Sequence, residues 1–70
     1  MIRLTEVRKA AGLSMSALAR EAGMHVSSVS QIEGRRLRPY PGQVAKLGSA
    51  LGWEGDPMEL FEEVGGDGRG

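Results

Sequence analysis

The sequence predicts an all-α domain of five short helices, and three observations carry that expectation. Apolar residues recur at intervals of three and four rather than two. Glycines and prolines cut the chain into segments of one helix each. No stretch alternates apolar and polar residues as a half-buried strand does, and no segment repeats another.

The first helix, about 3–11, sets Leu4, Val7 and Ala11 on one face, with Gly12 just past its end. Ser14 reads as the N-cap of a second helix, 15–22, whose inward residues are Leu18, Ala19 and Ala22. Gly23 closes it. Only Met24 and His25 precede a third helix, 26–33, which buries Val29 and Ile32 and exposes Ser27, Ser28, Ser30 and Gln31. Its three serines lower its intrinsic propensity, so packing must hold it. The same small polar face suits close approach to another surface. Residues 34–41 form a basic loop, and Pro41 then opens a fourth helix, 41–51, with Val44, Leu47 and Leu51 facing inward and Gly52 at its end. Asp56-Pro57-Met58-Glu59 supplies an N-cap, a proline at the first helical position and an acid at the third. It opens a fifth helix to about 64, with Trp53, Leu60 and Phe61 expected in the core. The domain is therefore read as residues 1–64. The last six residues, Gly-Gly-Asp-Gly-Arg-Gly, contain nothing apolar and are expected to form a disordered tail.

Seventy residues make one domain with a small core. There is no cysteine to staple it, and the lone His25 cannot build a metal site. Stability must come from helix packing, from oligomerisation, or from both. No metal and no cofactor are expected. Nothing pairs a nucleophile with a base, so no catalytic residue is assigned and an enzyme is not expected. The chain shows neither a long apolar run nor a charged-then-apolar leader, which argues against a membrane partner and a signal peptide. With the lack of cysteine, that fits a cytoplasmic protein.

The formal net charge is zero, but it divides along the chain. Residues 1–53 carry eight basic side chains against three acidic ones, and residues 54–70 carry six acidic against one basic. A basic body with an acidic end suits nucleic-acid binding, although ordinary solvated charge produces the same split.

Two short helices joined at a glycine turn, the second with a bare polar face, match the arrangement that sets a helix in the major groove. Ala19 allows the helices to approach, Gly23 takes a left-handed turn, and Val29 and Ile32 pin the second helix across the first. These residues lie in Leu13-Ser14-Met15-Ser16-Ala17-Leu18-Ala19, Gly23, Val29-Ser30-Gln31-Ile32-Glu33 and Arg35-Arg36-Leu37-Arg38-Pro39. Together they resemble the phage-repressor-like helix-turn-helix family of the Cro/CI or XRE type, over residues 4 to about 61.

The resemblance implies a five-helix, lambda-repressor-like globule whose third helix enters the major groove of double-stranded DNA, as a homodimer at least when bound. It assigns Val26, Ser27 and Gln31 to base edges. Gln31 can make a bidentate contact to adenine, Val26 can pack a thymine methyl, and Ser27 can bond either kind of base. Gln31 can equally be a solvent-facing helix residue. Arg35, Arg36 and Arg38 are placed along phosphates, with Tyr40 donating to the same backbone. His25 stands where the family has a small hydroxyl, and either meets a phosphate or sits at the surface. Arg8 and Glu33 are placed as a structural ion pair, with Arg8 also near the DNA backbone.

Two departures stand out. Met15 replaces the family's glutamine clamp, leaving a phosphate to the helix amides, Ser14 or Ser16. Gly34 precedes Arg35 where the family has its glycine, which predicts a turn one residue earlier and leaves the aim of Arg35 open. Met58 and Val64 are the candidate two-fold contacts. The expected function is a transcriptional regulator, most simply a repressor, with no small-molecule effector. The alternative is a protein-interaction adaptor on the same fold, an antirepressor or coactivator-like module.

Overall fold

The computed structural model describes residues 1–64, so the expected tail lies outside the described residues. Four α-helices are followed by one short 3-10 helix: α1 (Arg3–Ala10), α2 (Met15–Ala22), α3 (Val26–Glu33), α4 (Pro41–Leu51) and the 3-10 helix Pro57–Phe61. The all-α class stands. Helix α2 packs against both α3 and α4, and the 3-10 helix closes the bundle against α1 and α4.

Local chemistry sets the element ends. The Ser14 hydroxyl oxygen accepts the Ala17 N–H at 3.0 Å and so satisfies a donor that the first turn of α2 leaves free. At the other end Gly23 adopts φ 69° and ψ 37°. The Met24 N–H then reaches the Ala19 carbonyl at 2.8 Å, and the Gly23 N–H reaches that of Arg20 at 3.2 Å. This crossed pair is the Schellman motif, and it turns the chain sharply into α3.

The core gathers one to three apolar residues from every element. Leu4, Leu18, Val29, Leu47 and Leu60 are fully buried, with Ile32 and Ala19 beside them. Each large side chain buried in this way contributes roughly 1.5–3 kcal/mol, and only their concerted burial holds a serine-rich α3 helical. Gly48 faces Pro57 so closely that a Cβ there would lie 3.0 Å from the proline Cβ, which lets the 3-10 helix seat on α4.

Several sequence expectations are corrected. The fifth helix is a 3-10 turn ending at Phe61, not an α-helix reaching 64. Asp56 does cap it, accepting the Met58 N–H at 3.0 Å. Beyond it, an α-helix would stack Glu59 on Glu62 and Glu63 at spacings of three and four, which like charges oppose. The backbone instead extends and pairs with the N-terminus. Ile2 bridges Glu63 in antiparallel fashion, the Arg3 N–H donates to the Glu62 carbonyl at 2.8 Å, and the Val64 N–H donates to that of Met1 at 2.9 Å. Ala11 lies past the end of α1 and is exposed, because the helix closes at Ala10. Ser28 is half-buried rather than exposed, and Trp53 and Phe61 are half-buried at the edge of the core. Ile2, unassigned from the sequence, is buried with the core.

Candidate nucleic-acid interface

Helix α3 buries Val29 and Ile32 and turns Val26, Ser27, Ser30 and Gln31 outward. At 100° per residue these four occupy one arc, opposite the buried pair. Val26 is 45% exposed, a large apolar side chain left in solvent at the first turn. Ser30 lies within the same arc but was not among the base-edge residues assigned from the sequence. The helical spacing that groups it with Val26 and Ser27 was the available signal.

The N-terminus of α3 is open. His25 occupies the N-cap with extended backbone and makes no side-chain capping hydrogen bond. Its imidazole is exposed, free of the helix it precedes. On α2, Ser14 and Ser16 are exposed, and the Ser14 oxygen is occupied by its capping bond while its hydroxyl hydrogen is left to donate. Met15 is half-buried and packs against the core, so the side chain standing in the family's glutamine position faces the protein interior.

The C-terminus of α3 is anchored. Arg8 and Glu33 form a two-toothed pair, Nε to Oε2 at 2.7 Å and Nη2 to Oε1 at 3.1 Å, with side chains only 8% and 4% exposed. The Arg8 Nη1 also donates to the Leu13 carbonyl at 2.8 Å, and the Thr5 hydroxyl donates to Glu33 Oε1 at 3.1 Å. One carboxylate thus ties α3 to α1 and to the turn between α1 and α2. The guanidinium is enclosed and engaged on all three nitrogens, which corrects the expectation that Arg8 also lies near the DNA backbone. Thr5 and Leu13 were missed from the sequence because their role depends on contacts between elements.

Past Glu33 the chain does not turn at Gly34. Gly34 keeps a right-handed conformation, φ −79° and ψ 0°, and the left-handed residue is Arg35, φ 63°. The Arg35 N–H reaches the Ile32 carbonyl at 3.0 Å and the Arg36 N–H reaches that of Gln31 at 2.8 Å. This is the same crossed motif that Gly23 makes, built on an arginine. The expectation of a turn one residue early is therefore corrected. Gly34 has a different duty, since a Cβ there would lie 3.2 Å from the Ser30 carbonyl.

The loop arginines divide into two groups. Arg35 pairs with Glu63 through Nη1, on the extended acidic segment that pairs back against the N-terminus. Arg36 and Arg38 are exposed and make no ion pair among the described residues. Glu63 as the partner of Arg35 was not legible in the sequence, because backbone pairing between the two chain ends brings it there. Tyr40 is 70% exposed and caps α4 through its backbone, its N–H donating to Gln43 Oε1 at 2.9 Å. Its phenol makes no capping bond.

Next to the loop lies an open groove of about 930 Å³, between the arginines, the start of α4 and the 3-10 helix. Met58, a candidate two-fold contact, stands exposed on the groove's edge, while Val64 is half-buried and tied to Met1 through its backbone. Among the described residues no cluster of three His, Asp or Glu side chains is placed to hold a metal ion. No described helix is long and apolar enough to cross a membrane.

Residues 2–61 match the family model described as a helix-turn-helix domain. No curated protein and no solved structure matches the chain.

Proposed function

Because the chain belongs to the helix-turn-helix domain family, we propose that it is a sequence-specific transcriptional regulator, a repressor, that lays α3 in the major groove of double-stranded DNA. The observation that carries this reading is the outward arc of α3. Val26, Ser27, Ser30 and Gln31 stand exposed on a helix anchored at one end by a buried ion pair and followed directly by a basic loop. A face of small residues admits a close approach, and Gln31 offers the one side chain able to bond two atoms of an adenine edge. Arg36 and Arg38 supply phosphate contacts, Arg35 joins them by leaving its exposed pair with Glu63, and Ser14, Ser16, His25 and Tyr40 lie at the flanks.

Two subunits act together on this reading, with the reading helices spaced by about one turn of the duplex. The setting is the cytoplasm, and the regulator acts as bound protein, without catalysis. Fluorescence anisotropy on duplexes selected from a random pool tests the proposal. Gln31→Ala is expected to cost about 1–3 kcal/mol at one base position. Arg36→Ala is expected to weaken all duplexes alike and to lower the salt slope by about one. A folded protein that binds no duplex above background at low salt would overturn it.

A further inference from the structure

The groove beside the arginine loop has a composition that duplex DNA does not use. Val44 and Phe61 contribute to an apolar floor, Met58 stands exposed at one lip, and Arg35, Arg36 and Arg38 form the other. Among the described residues no acidic side chain lines it. A sugar-phosphate backbone satisfies the arginines and leaves the apolar floor in water. A small molecule is enclosed by its site over most of its surface, which an open trough does not do. An elongated chain with apolar side chains on one side and carboxylates on the other satisfies floor and rim together.

We propose that this groove is a docking site for an acidic, amphipathic peptide segment of a partner protein, whose apolar side chains fill the floor and whose carboxylates pair with Arg36 and Arg38. Charge complementarity selects that occupant. The two arginines have no ion-pair partner among the described residues, and Arg35 shows how a carboxylate engages this rim, through Glu63. An apolar floor without the arginines would accept any hydrophobic segment. The arginines without the floor would accept any polyanion. Together they demand both features in one ligand.

The same two arginines are assigned to phosphates, so a docked peptide displaces DNA. That consequence rests on the proposed function, whereas peptide binding itself does not. The groove thus gives the domain a site for control at the margin of its DNA surface.

The test is selection of a displayed library of random, roughly twelve-residue peptides against the folded protein, without DNA. The recovered peptides are expected to be rich in Asp and Glu interleaved with Leu or Phe. Ala45 lines the groove on the exposed side of α4. Ala45→Glu is expected to weaken the recovered peptides by at least about tenfold through charge repulsion, while circular dichroism shows the fold intact. Arg38→Glu should do the same. A selected peptide should also displace labelled duplex, and duplex affinity measured alone reports separately on the DNA reading. Recovered peptides that lack acidic residues would overturn the proposal. So would binding indifferent to Ala45→Glu, or polyglutamate binding as tightly as the selected sequences. Self-association of the protein abolished by Ala45→Glu would assign the groove to a second copy and overturn it as well.

Discussion

The two ends of α3 are built from the same hydrogen bonds and different residues. At its approach Gly23 takes the left-handed conformation, at its exit Arg35 takes it, and both close the same pair of crossed bonds to the preceding helix. A glycine adopts that conformation freely, whereas a residue with a Cβ is raised by about 1–2 kcal/mol. The approach carries no anchor, and its N-cap, His25, does not cap. The exit is held by Arg8, Thr5 and Glu33 in a largely buried network. A strained residue persists where its surroundings over-determine it, and such residues gather at functional sites. The difference teaches that the left-handed residue with a Cβ stands where an anchor holds α3, and the glycine stands where none does; on the proposed function, the exit bears that strain to hold a guanidinium beside the reading helix.

Removing the anchor should break this contrast most severely. Glu33→Ala leaves the enclosed Arg8 guanidinium without a counter-charge, and a loss of about 3–5 kcal/mol is expected in urea denaturation. For a domain of this size that approaches the whole of its stability. A loss under about 1 kcal/mol would mean the exit is not clamped.

Gly23→Ala asks the approach to bear the strain that the exit already bears, without an anchor. Nothing lies near enough to obstruct the methyl group, so the expected cost of about 1–2 kcal/mol is conformational alone. Equilibrium unfolding measures it. His25→Ser acts in the opposite direction, supplying the missing cap and raising stability by about 1 kcal/mol. If it is neutral, the first turn of α3 is already satisfied by other means.

Much of the fold is legible in the sequence where the deciding forces are local. The four α-helices follow from apolar spacing, from Ser14 and Pro41 at their starts and from glycines near their ends. The exit turn was misread for a physical reason. The identity of Gly34 suggests a turn there, but burial of Ile32 and the clamp on Glu33 decide where α3 stops, and the left-handed position then falls on Arg35. The fifth segment was misread because its competitor is distant. Residues 62–64 extend to pair with residues 1–3, which no local window reveals. The Arg8–Glu33 pairing came from the family resemblance, while its bonds to Thr5 and Leu13 required the structure. The groove belongs to no single element, and only packing creates it.

The account of α3 turns on Arg35, and Arg35→Gly examines it with two readouts on one protein. Relief of the left-handed strain is offset in part by the greater freedom of an unfolded glycine and by loss of the exposed pair with Glu63. Thermal or urea unfolding should therefore show a small gain, about 0.5 kcal/mol. Duplex anisotropy on the same sample should show weaker binding and a salt slope shallower by about one, since the phosphate contact proposed for Arg35 is removed. A variant that is more stable and binds DNA as tightly as the parent would contradict the claim that the exit turn tolerates strain in order to carry its charge.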